Sequence, residues 1–158
     1  MVGMPDLLTL ADGRSFARGV ATYLIGQPGE PAAGRLLLEI AIENRRLVVA
    51  VDTGGHYLIC DPEFALALEP YLTDPVGKTR LTIRGVEYRG TLYLLTMEFL
   101  ANRGENLLVP TTVFIPDLFP GEAWNLPSFL GFTAALDRVR FAIDPETTQF
   151  YFGGLGDT

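Results

Sequence analysis

Apolar and polar positions alternate with a period of two along much of the chain, and this pattern predicts strands. Leu36, Leu38, Ile40 and Ile42 alternate with Leu37, Glu39, Ala41 and Glu43, giving one clean apolar face. Glu43-Asn44-Arg45-Arg46 reads as a tight turn. The chain then returns through Leu47-Val48-Val49-Ala50-Val51, an apolar run rich in β-branched Val that reads as a strand buried on both faces. The two form a hairpin whose second strand stops on Asp52-Thr53-Gly54-Gly55. Upstream, residues 16–25 read as a first strand, and Gly26-Gln27-Pro28-Gly29-Glu30-Pro31 breaks any regular element. That loop divides the chain into an N-terminal arm of unassigned role, residues 1–30, and a body, residues 31–158.

Downstream, Asp61-Pro62-Glu63 starts a short helix, because Asp is a favoured N-cap and Pro needs no N–H partner in the first turn. Phe64, Ala67, Leu68 and Tyr71 fall on one face, and Pro70 ends the element. Residues 81–84 alternate again, and Gly85-Val86-Glu87-Tyr88-Arg89-Gly90 reads as a glycine-bounded hairpin tip. A long strand follows over residues 91–100, with Tyr93, Leu95, Met97 and Phe99 on one side. Asn102-Arg103-Gly104-Glu105 turns it into a strand over residues 107–115. Residues 116–127, with three prolines and a glycine, are irregular, and Trp124 is their packing anchor. Phe129-Leu130-Gly131 opens a second short helix, with Phe132, Ala135, Leu136 and Val139 at helical spacing. Val139, Phe141 and Ile143 then alternate, Pro145-Glu146-Thr147-Thr148 turns, and Phe150-Tyr151-Phe152 forms the last strand. The expectation is a mainly β fold, a closed or strongly curved barrel-like sheet with two short helices.

Composition narrows the partners. The 158 residues form one domain's length with 48% hydrophobic content, enough for a core without staples. Twelve basic against nineteen acidic residues give a net charge of −7 with no basic cluster, which argues against nucleic acid and anionic membrane. The single cysteine, Cys60, forms no internal disulfide and builds no zinc site, which suits a reducing, cytoplasmic setting. Residues 1–11 lack the pattern of a signal peptide, and no apolar run approaches the roughly 20 residues that cross a bilayer.

The candidate chemistry sits at Asp52. A carboxylate at the end of a core strand is costly unless it is paired or used, although an ordinary Asx turn closing the strand has the same sequence. Cys60 and His56 suggest a thiol and its base, but no third group orients them, and Cys60 reads more simply as a buried strand end. His56 has no second His with which to hold a metal, so no metal or other cofactor is expected. The aromatic cluster at 150–152 reads as core or as a dimer sheet.

The order of these parts resembles a retropepsin-like aspartic protease domain, of the cellular type found in DNA-damage-inducible ubiquitin-shuttle proteins and in small bacterial relatives. The resemblance is carried by the apolar strand into Asp52-Thr53-Gly54, by Phe129-Leu130-Gly131, and by Leu136-Asp137-Arg138 leading into Phe141-Ala142-Ile143-Asp144. This chain departs from the pattern at Gly55, where Ala is usual. It also departs at His56-Tyr57 and Phe132, near or at the positions where viral members carry the acidic residue and the Arg that brace their dimer. The resemblance implies an acid-protease barrel and an aspartic endopeptidase with Asp52, Thr53 and Gly54 as its catalytic turn. It also implies a flap containing Gly85, Val86 and Tyr88 that closes over a peptide or unfolded-protein substrate. Only one Asp-Thr-Gly is present, so a two-carboxylate site requires a homodimer. The alternative is a catalytically idle module that keeps the same fold for dimerisation or peptide binding.

Overall fold

The computed structural model describes residues 7–157. Its first strands are β1 (Gly19–Thr22), β2 (Leu24–Ile25) and β3 (Leu36–Ile42). β3 turns through Glu43 and Asn44, both at positive φ, into the long strand β4 (Arg45–His56). Two positive φ values in succession define the I′ turn, whose twist matches that of the strands it joins. Leu38, Ile40 and Ile42 are buried as the alternation requires, but the run before Asp52 is buried on both faces only from Val49 onward. Val48 stands 51% exposed.

After the two-residue β5 (Leu58–Ile59) comes α1 (Pro62–Ala67), the one α-helix among the described residues, capped by Asp61, whose side chain accepts from the Phe64 N–H at 2.8 Å. Phe64, Ala65 and Leu68 face inward, whereas Ala67 and Tyr71 are exposed, because α1 is too short for a full helical stripe and passes into a 3-10 turn at Glu69–Tyr71. β6 (Gly77–Ile83) and β7 (Val86–Phe99) form the next hairpin, and β8 (Arg103–Gly104) leads to β9 (Leu107–Pro116). The chain closes with β10 (Ser128–Thr133), β11 (Val139–Asp144) and β12 (Gln149–Gly154).

The helix expected from Phe129-Leu130-Gly131 is a strand. β10 lies between β4, which it meets in parallel, and β5, which it meets antiparallel. Neighbours on both sides claim its backbone groups, and a positive φ at Ala134 stops any helix from starting beyond it. The helical spacing of Leu136 and Val139 survives only as one 3-10 turn, Leu136–Arg138, and Phe132 is exposed.

The larger sheet runs β2-β3-β4-β10-β5-β9-β7-β6, and an additional β3–β7 pairing joins Ile40 to Phe99 and Ile42 to Met97. That pairing closes β3, β4, β10, β5, β9 and β7 into a ring, so the barrel is closed as expected, with β2 and β6 hanging off it. Phe99 stacks on Phe150 and Phe152 inside, which welds the barrel to a four-stranded sheet of order β11-β12-β1-β8. Residues 19–22, part of the stretch read as an N-terminal arm, are the third strand of that sheet and pair with both β12 and β8. A second, smaller core of Ala50, Ile59, Phe114 and Phe129 lies between the barrel and the β6–β7 hairpin.

Candidate active site

Asp52 is placed by a mismatch in register. Between the pairs Gly131–Asp52 and Thr133–His56, β10 advances two residues while β4 advances four. The surplus bulges outward as Thr53-Gly54-Gly55, with Thr53 and Gly54 exposed and Asp52 half-buried at its root. Bulges of this kind re-aim a side chain at the edge of a barrel. Gly131 makes the geometry possible. A Cβ there would sit 2.5 Å from the Tyr57 carbonyl oxygen and 2.8 Å from the His56 carbonyl carbon. Its own N–H donates to the Tyr57 carbonyl at 2.8 Å, and the Tyr57 N–H donates to Thr133 at 2.8 Å. Tyr57 itself bends the chain at φ 63° to carry β4 around β10 into β5.

The Asp52 carboxylate accepts from the Gly54 N–H at 3.2 Å. Its other oxygen lies 2.9 Å from the place a Gly55 Cβ would occupy. Gly55 therefore leaves room for the carboxylate in this orientation. Thr53, at the crest, makes no side-chain hydrogen bond among the described residues.

Asp52, Gly54, Gly55 and His56 line a cavity of about 190 Å³. Its roof is the β6–β7 hairpin, through Leu81, Thr82, Ile83 and Arg84. Ile59 and Phe129 form its apolar floor, and Arg35 stands at its side. The hairpin turns at Arg84-Gly85, with φ of 51° and 81°, rather than beyond Gly85. Val86 and Tyr88 belong to β7, paired with Ile83 and Leu81. Tyr88 packs edge-on against Trp124 at 5.0 Å, which anchors the hairpin, three rungs from its turn, to the irregular segment. The structure thus brings the hairpin over Asp52 but presents its β6 side to the cavity, and Gly85, Val86 and Tyr88 do not line it.

The sequence pattern gave Arg35 and Ile59 no role, and it read Phe129 only as the start of a helix and Arg84 only as the edge of the flap hairpin. Arg84 reaches from the hairpin tip to the Pro31 carbonyl at 2.8 Å and lies 5.9 Å from the Phe129 ring centre. The loop it meets is closed by paired bonds between Gly26 and Arg35 or Gly34.

Cys60 is fully buried, and desolvation together with the neighbouring Asp61 charge pushes its thiol well above the usual range, so it is no nucleophile there. Among the described residues no group of three His, Cys, Asp or Glu is arranged to hold a metal. No helix there is long and apolar enough to cross a membrane. A larger cavity of about 500 Å³ lies at the outer base of the hairpin, beside Lys78, Arg89, Asp117 and Phe119. No residue of the bulge lines it, and Asp117, its one carboxylate among the described residues, is held by Lys78 and Thr91, so the smaller cavity is the candidate site.

No protein-family model matches the chain, and no curated protein matches it by sequence. A solved structure of a retropepsin-like aspartic protease from Rickettsia conorii does match in fold. The TM-score is 0.51 at 18% identity, over 87% of this chain and 94% of that one. The fold is retropepsin-like. The retroviral protease-like domain of Ddi1 from Leishmania major aligns with 78% of this chain and 98% of its own, at 18% identity and a TM-score of 0.48. In the retropepsin-like barrel of this chain, the bulge with Asp52 and the hairpin above it together frame a cavity beside an acidic side chain.

Proposed function

We propose that the chain is a single-domain aspartic endopeptidase that works as a homodimer. One observation carries the reading: the only Asp-Thr-Gly of the sequence rides an exposed bulge, its carboxylate beside a hairpin-roofed cavity, in a retropepsin-like fold. One turn supplies one carboxylate, so the second comes from another copy related by a two-fold axis. Two carboxylates about 3 Å apart cannot both ionise and share one proton. The ionised Asp52 takes a proton from water while the protonated one donates a hydrogen bond to the scissile carbonyl oxygen. The hydroxide adds to the carbonyl carbon, and the tetrahedral adduct collapses as the leaving nitrogen receives a proton, with no covalent enzyme intermediate. Thr53, exposed at the crest, contacts the partner's backbone, and Gly54 lets the two turns approach. The β6–β7 hairpin closes over an extended peptide or unfolded protein and excludes water.

The test is cleavage of a diverse peptide library across a pH series, with Asp52→Asn alongside. The reading expects cleavage to fall roughly 10³-fold or more in the variant while folding and association stay unchanged. Equal turnover in both proteins overturns it. Sedimentation that finds only monomer at high concentration, with and without a peptide inhibitor, removes the paired site and leaves an idle binding module.

A further inference from the structure

The cavity beside Asp52 has a charge balance opposite to that of the chain. The protein carries a formal net charge of −7, yet among the described residues Asp52 is the one carboxylate lining this cavity, against the guanidinium-bearing Arg35 and Arg84. Arg14, Arg18, Arg46 and Arg80 each have a carboxylate partner. Arg35 is half-buried where the loop enters β3 and makes no ion pair or side-chain hydrogen bond among the described residues. Arg84 gives one N–H to Pro31 and keeps the rest of its fork available. A partly desolvated guanidinium without a counter-ion is unfavourable, and a carboxylate brought by a bound molecule relieves it.

The other walls set the shape of that molecule. Ile59, Leu81, Ile83 and Phe129 are apolar, and about 190 Å³ accommodates a side chain rather than a stretch of peptide. A short aliphatic stem ending in a carboxylate satisfies both surfaces, its methylenes against the apolar wall and its oxygens toward Arg35. Lysine would set a third cation among the two arginines, and a purely aliphatic side chain would bury Arg35 further without pairing it.

We propose that this cavity is a specificity subsite for an acidic side chain of the substrate, glutamate above all, with Arg35 pairing its carboxylate and Arg84 covering it from the hairpin tip. The proposal rests on the peptidase reading only for its position next to the scissile bond.

The experiment uses peptides that differ only in Glu, Gln or Lys, moved one position at a time. Each is scored by fluorescence anisotropy with the Asp52→Asn protein and by cleavage with the parent. At one position Glu is expected to bind roughly tenfold better than Gln at low salt, with the advantage shrinking as salt rises. Arg35→Gln brings the Glu-to-Gln ratio near one, Arg35→Lys keeps its sign, and Arg35→Glu inverts the preference toward Lys, a reversal that mere loss of folding does not produce. Equal binding of Glu and Gln at every position, or no binding of any peptide, overturns the proposal. Glu-selective binding without any cleavage sustains the subsite and removes the peptidase. Asp52-dependent cleavage without Glu preference does the reverse.

Discussion

The β3–β4 and β6–β7 hairpins are closed by the same local device and have opposite fates. Glu43-Asn44 turns at φ of 48° and 66°, and Arg84-Gly85 at 51° and 81°. Each is a two-residue turn with both centres in the left-handed region. β3 is flanked by β2, β4 and β7, and β4 by β3 and β10, so both strands lie inside the closed ring with Ile40, Ile42 and Val49 fully buried. Among the described residues β6 pairs with β7 alone, and it has no fully buried residue. Turn chemistry makes a hairpin, but the number of neighbouring strands decides whether it becomes scaffold or a cover able to move. Segments with few buried contacts open locally at low free energy, which suits the role proposed for this hairpin of admitting a peptide to Asp52.

The largest expected contrast is in stability. Ile40→Ala, at the seam with Phe99, should cost about 2–5 kcal/mol by denaturant unfolding. Leu81→Ala, half-buried in β6, should cost about 1 kcal/mol. Equal losses would break the distinction between scaffold and cover. Gly131→Ala ranks next, because its Cβ meets the backbone of residues 55–57. A destabilisation of about 1–3 kcal/mol is expected, together with lost peptide cleavage, since the bulge under Asp52 must shift. Full activity in that variant would show that the register mismatch does not hold the carboxylate in place.

A smaller effect is expected at the cover's latch. Arg84→Ala removes the bond to Pro31 and should change global stability by less than about 0.5 kcal/mol, while amide exchange quickens along β6 and stays unchanged along β3. Uniform exchange in both hairpins would dissolve the comparison.

The smallest effect lies outside both hairpins and serves as their reference. The Gly154 N–H bond, at 2.8 Å, holds the Asp157 carboxyl below its ordinary range, and Arg18 at 2.9 Å adds to it. A lowered native value means that this contribution is complete above the ordinary carboxylate range and is lost as pH falls through the native value. Asp157→Asn should therefore flatten the acid limb of a stability profile slightly, without altering exchange in either hairpin.

Elements whose signal is local were legible in the chain. The strand over residues 36–42, the Asp61 cap, and the long strand carrying Leu95, Met97 and Phe99 appear as read, whereas the strand over 139–143 forms without its expected apolar face, Ile143 being exposed. β10 was not legible. A strand held between two others loses its polar face, so Ser128, Phe129, Leu130 and Gly131 are all buried and no alternation marks the run as a strand. The turn at Arg84-Gly85 was read a few residues late for a related reason. Arg tolerates the left-handed position only where the strands on either side impose it.

What the sequence by itself determined is therefore the mainly β composition, the hairpins, and the single Asp-Thr-Gly at the end of an apolar strand. These follow from nearest-neighbour chemistry, where side-chain period and turn residues act within a few positions. Only the tertiary structure decided that β3 and β7 close the ring, that β10 enters beside β4 and lifts Asp52 onto a bulge, and that Arg35 and Arg84 meet across one cavity. Those outcomes depend on pairings between segments far apart in the chain, whose energy comes from burial and backbone hydrogen bonds that no local pattern encodes.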